Sequence, residues 1–183
     1  MINTDLLKTS IEFAKNIRTT GAFRQSSKKV ENEITKYVDP NRKQVIVEFG
    51  TGHGNITQRI LDRLHPESQL YSFEVNPEFV AHVREMIDDD RLTIVNAGAE
   101  TIAEHVDGAV DSVISSLPLT LFSKEDTERL LRLVYDQLVP GGHMSQLLYS
   151  SIHKKKFVKA FDHLYIKRFI NVPMEYIHHG SKN

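Results

Sequence analysis

Three glycines at alternate positions, Gly50, Gly52 and Gly54, follow the β-branched run Val45-Ile46-Val47-Glu48-Phe49. The apolar run has the pattern of a buried parallel strand. Glycine turns of this kind let main chain approach a ligand closely, and the N–H groups of a helix that follows point at it. A second apolar run, Leu70-Tyr71-Ser72-Phe73, ends in Glu74, twenty residues past Gly54. A carboxylate at a strand tip suits a ribose diol, two hydroxyl donors facing two acceptor oxygens. The chemistry implied is the binding of a nucleoside-type cofactor across two neighbouring strand tips.

The spacing distinguishes among such cofactors. The dinucleotide fingerprint is Gly-x-Gly-x-x-Gly, whereas this chain has Gly-x-Gly-x-Gly preceded by Glu48. A carboxylate beside the loop repels a pyrophosphate and suits a cationic ligand carrying an ammonium group. That favours S-adenosyl-L-methionine over NAD. The pattern Glu-x-Gly-x-Gly-x-Gly with a strand-end glutamate resembles class I S-adenosylmethionine-dependent methyltransferases. The resemblance implies cofactor contacts from Glu48, Gly50, Thr51, Gly52, Gly54 and Asn55 on the first tip. It adds Glu74 and Val75 on the second, Gly98 and Ala99 on the third, and Ser115 on the fourth.

The methyl acceptor belongs at the fourth tip, Ser115-Ser116-Leu117-Pro118-Leu119. Enzymes that methylate adenine or glutamine amides carry Asn or Asp there, then Pro-Pro or Leu-Pro, then an aromatic ring that stacks on the planar group. Here Ser116 and Leu119 stand in those places, which disfavours a nucleobase. The loop instead resembles bacterial phospholipid N-methyltransferases of the soluble-domain type. Gly21-Ala22-Phe23-Arg24-Gln25-Ser26-Ser27, Phe73-Glu74-Val75-Asn76-Pro77, Leu148-Tyr149 and Asn171-Val172-Pro173 are similar to segments of that family. Two positions depart from it. Ala97-Gly98-Ala99 lacks the aspartate that in the family meets the adenine amine, and Gln25 replaces a proline.

The resemblance implies N-methylation of an amine such as a phospholipid head group. Tyr149 and Ser116 are then the candidate catalytic residues, Tyr149 as the group that orients the amine or relays its proton. An RNA adenine methyltransferase of the rRNA adenine dimethylase type is the second reading. A cofactor-binding module with a decayed acceptor site is the third. No histidine or carboxylate spacing suggests a metal site, and His53, His178 and His179 are expected to be solvated.

With 183 residues the chain suits one domain, divided into an N-terminal helical cap over 1–43 and a cofactor-binding core over 44–183. Cysteine is absent, which excludes disulfides and thiolate metal sites. No apolar run approaches a membrane span and no leader pattern opens the chain. The expectation is a cytoplasmic protein with peripheral attachment at the inner membrane. The net charge of −1 conceals an asymmetry: residues 152–170 hold six Lys/Arg and one Asp, while residues 44–151 hold seven basic and seventeen acidic residues. Residues 1–43 are basic too, nine against five. Basic flanks suit an anionic surface, with lipid favoured over nucleic acid, or simply form solvated faces. Phe13, Ile17 and Phe23 are either part of the core or a membrane-facing edge.

The elements that must position these residues alternate. Helices are expected over 4–18, ending at Gly21, and over 27–37. Strands 45–49, 70–74, 92–95, 110–115 and 143–149 are then separated by helices 55–64, 77–87, 99–105 and 124–137. Helix 154–163 and extended stretches 164–171 and 174–179 complete the chain. Such alternation implies a parallel α/β sheet with helices on both faces. The resemblance to class I methyltransferases implies a doubly wound, mostly parallel sheet of seven strands, the Rossmann-like methyltransferase fold, with N-terminal helices.

Overall fold

The computed structural model describes residues 27–183. The helix expected over 4–18, Gln25, and Phe13, Ile17 and Phe23 lie outside the described residues.

Helix α1 (Lys28–Ile34) is capped by Ser27, whose side chain accepts from the Val30 N–H. Strand β1 (Val45–Phe49) leads through the glycine turn to α2 (Asn55–Leu61). Strand β2 (Gln69–Phe73) leads to α3 (Pro77–Met86), where Asn76 caps the helix and proline takes its first position. Strand β3 (Leu92–Val95) precedes a 3₁₀ turn (Ala99–Thr101) and the short α4 (Ile102–His105). Strand β4 (Val110–Ser115) is followed by a second 3₁₀ turn (Leu119–Leu121) and α5 (Lys124–Gln137), capped by Ser123. Strand β5 (Leu138–Leu148), α6 (Lys154–Ala160), β6 (His163–Phe169) and β7 (Glu175–Ser181) finish the chain.

The seven strands form one sheet in the order β3-β2-β1-β4-β5-β7-β6. All neighbours pair in parallel except β7, which runs antiparallel to both β5 and β6. Alternation along each strand sends side chains to two cores. Val47, Phe49, Phe73 and Val113 pack with Leu130, Leu131 and Val134 of α5 and with Phe157 of α6. Ile46, Leu70, Ile114 and Ile177 pack on the other face with Val30 and Ile34 of α1 and Ile56 and Ile60 of α2. Both faces are therefore covered, as a parallel sheet requires. Fully burying one such side chain stabilises by about 1.5–3 kcal/mol.

Strand β5 begins earlier than expected. Pro140-Gly141-Gly142 does not end the ladder, because Gly141 N–H donates to Lys182 O and Lys182 N–H to Gly142 O. The extra residues bulge from β5 itself, which runs from Leu138 to His143 while β4 opposite runs only from Val110 to Ser112. No helix of the described residues is long and apolar enough to cross a membrane.

Candidate cofactor and acceptor site

Phe49, Phe73, Val95 and Ser115 end strands β1 to β4 side by side, so the segments that follow them meet at one edge of the sheet. Gly50, Gly52 and Gly54 all have positive φ, +86°, +53° and +83°. This is left-handed backbone that β-branched residues avoid. Gly50 N–H donates to Phe73 O, and Gly54 N–H to Thr51 O. A Cβ on Gly50 would lie 2.8 Å from Ser116 Oγ, so the glycine turn and the β4 loop touch where Gly50 has no side chain.

Glu74 is buried and held by backbone. Its Oε2 accepts from Gly52 N–H at 3.0 Å and its Oε1 from Asn76 N–H at 2.8 Å. Burial raises its pKa, while the N–H groups of Asn76, Gly52 and Val75 oppose the rise. Val75 follows it, half-buried. The turn and the carboxylate are thus one unit, each fixing the other.

Glu48 points to the face covered by α1 and α2 and is 1% exposed. Its Oε2 accepts from Thr57 and Ser72 hydroxyls, at 2.7 and 2.6 Å, and its Oε1 has no hydrogen-bond partner. Burial drives its pKa up to about 7, Ser72 and Thr57 hold it back, and Glu74 adds to the rise. Thr51 is buried with its hydroxyl against that of Ser72. Asn55 opens α2, half-buried.

The third tip supplies a carboxylate that position-matching missed. A side chain on Gly98 would collide with the carboxyl group of Glu100, which folds back over it from the 3₁₀ turn. Burial raises the Glu100 pKa, its own backbone N–H lowers it, and Glu104 raises it. Glu100 Oε1 is buried without a partner. Ala99 is buried at the start of that turn.

The fourth tip is a strutted loop. Ser115 is fully buried and its Oγ accepts from Leu117 N–H. Ser116 Oγ donates to Gly50 O at 3.0 Å. Gln146 of β5, fully buried, donates from Nε2 to Leu117 O at 2.9 Å. Leu119 belongs to the core, and Leu117 is the residue whose side chain approaches the glycine turn. Tyr149 follows the end of β5 and is 53% exposed. Its pKa is raised by burial and then by the charge of Glu175.

His53 is exposed in the glycine turn, beside Phe79 and His82. His178 and His179 are not solvated as expected: both are buried on β7, an interior strand flanked by β5 and β6. The two neighbours face opposite sides. His179 bonds Ser145 and Glu33, while His178 packs edge-on to Phe157. Burial, with Lys36 and His143 opposed by Glu33, lowers the pKa of His179. Burial, then His153 and Lys154, takes His178 down to about 4. Both imidazoles are neutral at ordinary pH.

Residues 46–142 match the family model described as Methyltransferase domain. The chain belongs to this family. The methyltransferase is 26% identical over 155 residues to the ornithine lipid N-methyltransferase of Singulisphaera acidiphila, covering 82% of this chain and 81% of that one. It is 29% identical over 149 residues to ribosomal RNA small subunit methyltransferase A of Bordetella pertussis, covering 73% of this chain and 55% of that one. Its fold superimposes on an rRNA methylase of Streptococcus thermophilus with a TM-score of 0.66 at 15% identity, over 88% of this chain and 99% of the other. The methyltransferase depends on S-adenosylmethionine.

The residues present suit that cofactor. Two partnerless buried carboxylate oxygens, on Glu48 and Glu100, offer acceptors for N–H donors, and Glu74 offers oxygens oriented by backbone. At positions 50, 52 and 54 the positive-φ glycines leave the backbone of the turn without a Cβ.

Proposed function

We propose that this methyltransferase transfers the methyl group to the primary amine of a membrane lipid. The observation that carries the reading is the β4 loop. Ser116 is engaged with the Gly50 carbonyl and Leu119 is buried in the core, so the loop offers neither a stacking ring nor a free amide. That loop gives a planar base no ring to lie on, whereas an aliphatic amine needs only a shaped, dry approach. Similarity to an ornithine lipid N-methyltransferase over about four fifths of both chains supports the same reading.

S-adenosylmethionine supplies a methyl group already activated on a sulfonium. The protein's part is alignment and exclusion of water. We assign the ribose diol to Glu74, the adenine amine to Glu100 and the methionine ammonium to Glu48, with Gly50, Thr51, Gly52, Gly54 and Asn55 forming the turn. Val75, Gly98, Ala99 and Ser115 complete the lining. Ser116 is a positioning residue, bracing the acceptor loop on the glycine turn. Tyr149 keeps its proton, since burial and Glu175 raise its pKa. It therefore orients the amine by hydrogen bonding, and the amine's proton leaves to water.

The test is labelled methyl transfer from S-adenosylmethionine to vesicles containing phosphatidylethanolamine or an ornithine lipid, with ribosomal RNA in parallel. Label in the lipid alone is expected. Label in RNA alone would reject the lipid acceptor, and label in neither, with cofactor bound, would reject both. Tyr149→Phe should lower kcat on the lipid and leave cofactor affinity unchanged.

A further inference from the structure

Large apolar side chains are exposed where the acceptor end of the sheet meets solvent. Tyr149 and Ile152 follow β5, Ile170 and Met174 lie in the turn between β6 and β7, and Leu121 lies in the loop after β4. Strand order places these three segments side by side, because β7 starts next to the end of β5 and pairs with the end of β6. Ile152 is 74% and Ile170 86% exposed. Isolated exposed aliphatics are ordinary, but several gathered on neighbouring loops mark an interaction surface.

The surroundings specify the partner. Lys154, Lys155 and Lys156 open α6 past His153, close behind Ile152 in the chain, and Lys167 and Arg168 shortly precede Ile170. Among the described residues none of these five cations forms a salt bridge. Exposed apolar tips beside cations that form no salt bridge among the described residues match a layer with hydrocarbon below and negative charge above. A single-stranded RNA surface would instead present successive stacking rings along a basic groove, whereas these tips are aliphatic apart from Tyr149. We infer that the loops carrying Ile152, Ile170 and Met174, with the Lys154–Lys156 and Lys167–Arg168 collar, seat this end of the sheet on an anionic lipid bilayer. The choice of lipid rests on the proposed acceptor, and the seating would place the acceptor loop at head-group level.

The test is co-sedimentation of the full chain with vesicles of phosphatidylcholine alone or mixed with phosphatidylglycerol. Binding should rise with phosphatidylglycerol and fall with salt. Ile152→Ser with Ile170→Ser should lower partitioning at least about tenfold on mixed vesicles. Lys154→Gln with Lys155→Gln should lower it about fivefold per charge, on the anionic vesicles only. S-adenosylmethionine affinity by calorimetry, unchanged in both variants, reports an intact fold. If the isoleucine pair disturbs the fold, the lysine pair alone decides. Wild-type protein that ignores anionic vesicles, or variants that bind them like wild type, would overturn the inference, as would loss of RNA binding alone. Normal vesicle partitioning without lipid methylation would sink the lipid acceptor while leaving the docking surface standing.

Discussion

The carboxyl group of Glu100 lies over the Cα of Gly98, in the space a side chain at position 98 would fill. The two positions are mutually exclusive. A glycine at 98 is what lets a glutamate two residues on reach back, so the carboxylate expected to be missing from this tip is delivered from another residue.

Glu100→Ala should weaken S-adenosylmethionine binding by about 1–3 kcal/mol, roughly five- to more than a hundredfold. It should also erase discrimination against the inosine analogue, which lacks the exocyclic amine. Gly98→Asp with Glu100→Ala should recover part of the loss, whereas Gly98→Asp alone should not. Calorimetry with S-adenosylhomocysteine and its inosine counterpart reads all three, and equal affinities for Glu100→Ala and wild type would remove Glu100 from the site.

Glu74 and the glycine turn should fail together. Glu74→Ala should cost about 1–3 kcal/mol in cofactor affinity. It should also lower thermal stability, since the N–H groups of Gly52 and Asn76 lose their acceptor. Gly52→Val should abolish binding, because valine cannot hold a φ of +53° without strain. Normal affinity in Gly52→Val would refute the turn as the binding element.

Glu48 should make the ligand-free protein less stable as pH rises. Its folded pKa of about 7 exceeds the ordinary 4.5, so the folded state holds the proton more tightly. The contribution is full below about pH 4.5 and is lost as pH climbs through about 7. The loss is on the order of 3 kcal/mol, and Glu48→Gln should remove it. Bound cofactor should reverse the trend if Glu48 meets the ammonium, since a cation favours the carboxylate. Affinity would then tighten from pH 6 to 8 in wild type, by roughly tenfold or less, and less so in the Gln variant. Denaturant melts and calorimetry across that range check both.

His178 should make the fold acid-sensitive. Its folded pKa of about 4 lies below the ordinary 6.5, so the unfolded chain takes the proton more readily. The stability is present above pH 6.5 and is lost as pH falls through about 4. His153, the charged Lys154 beside it and Phe157 leave no acceptor facing the ring. His178→Phe should flatten the pH dependence of Tm in this window. An unchanged acid limb would place the sensitivity elsewhere.

What could be read from the sequence was local. Asn76 and Ser123 cap the helices assigned to them, and the glycine turn sits between β1 and α2. Each depends on a few adjacent residues and on backbone preferences those residues carry alone. Two polar neighbours suggest solvent, but on an interior strand alternate residues enter opposite cores, and this is why the histidine pair is buried. Glu100 was missed because matching by position looks at residue 98, while a 3₁₀ turn brings residue 100 to the same point. Leu119 was set at the acceptor site by spacing, yet the second 3₁₀ turn rotates it into the core.

Strand β7 lies between β5 and β6, although it comes after both in the chain. During synthesis β6 therefore emerges with nothing to pair with, since its ladder is entirely to β7. Only when residues 175–181 follow can β6 join the sheet, because β7 is the strand that links it to β5. Strand β7 is thus a clasp between β5 and β6, and a stop codon ahead of it would cost the sheet two strands at once.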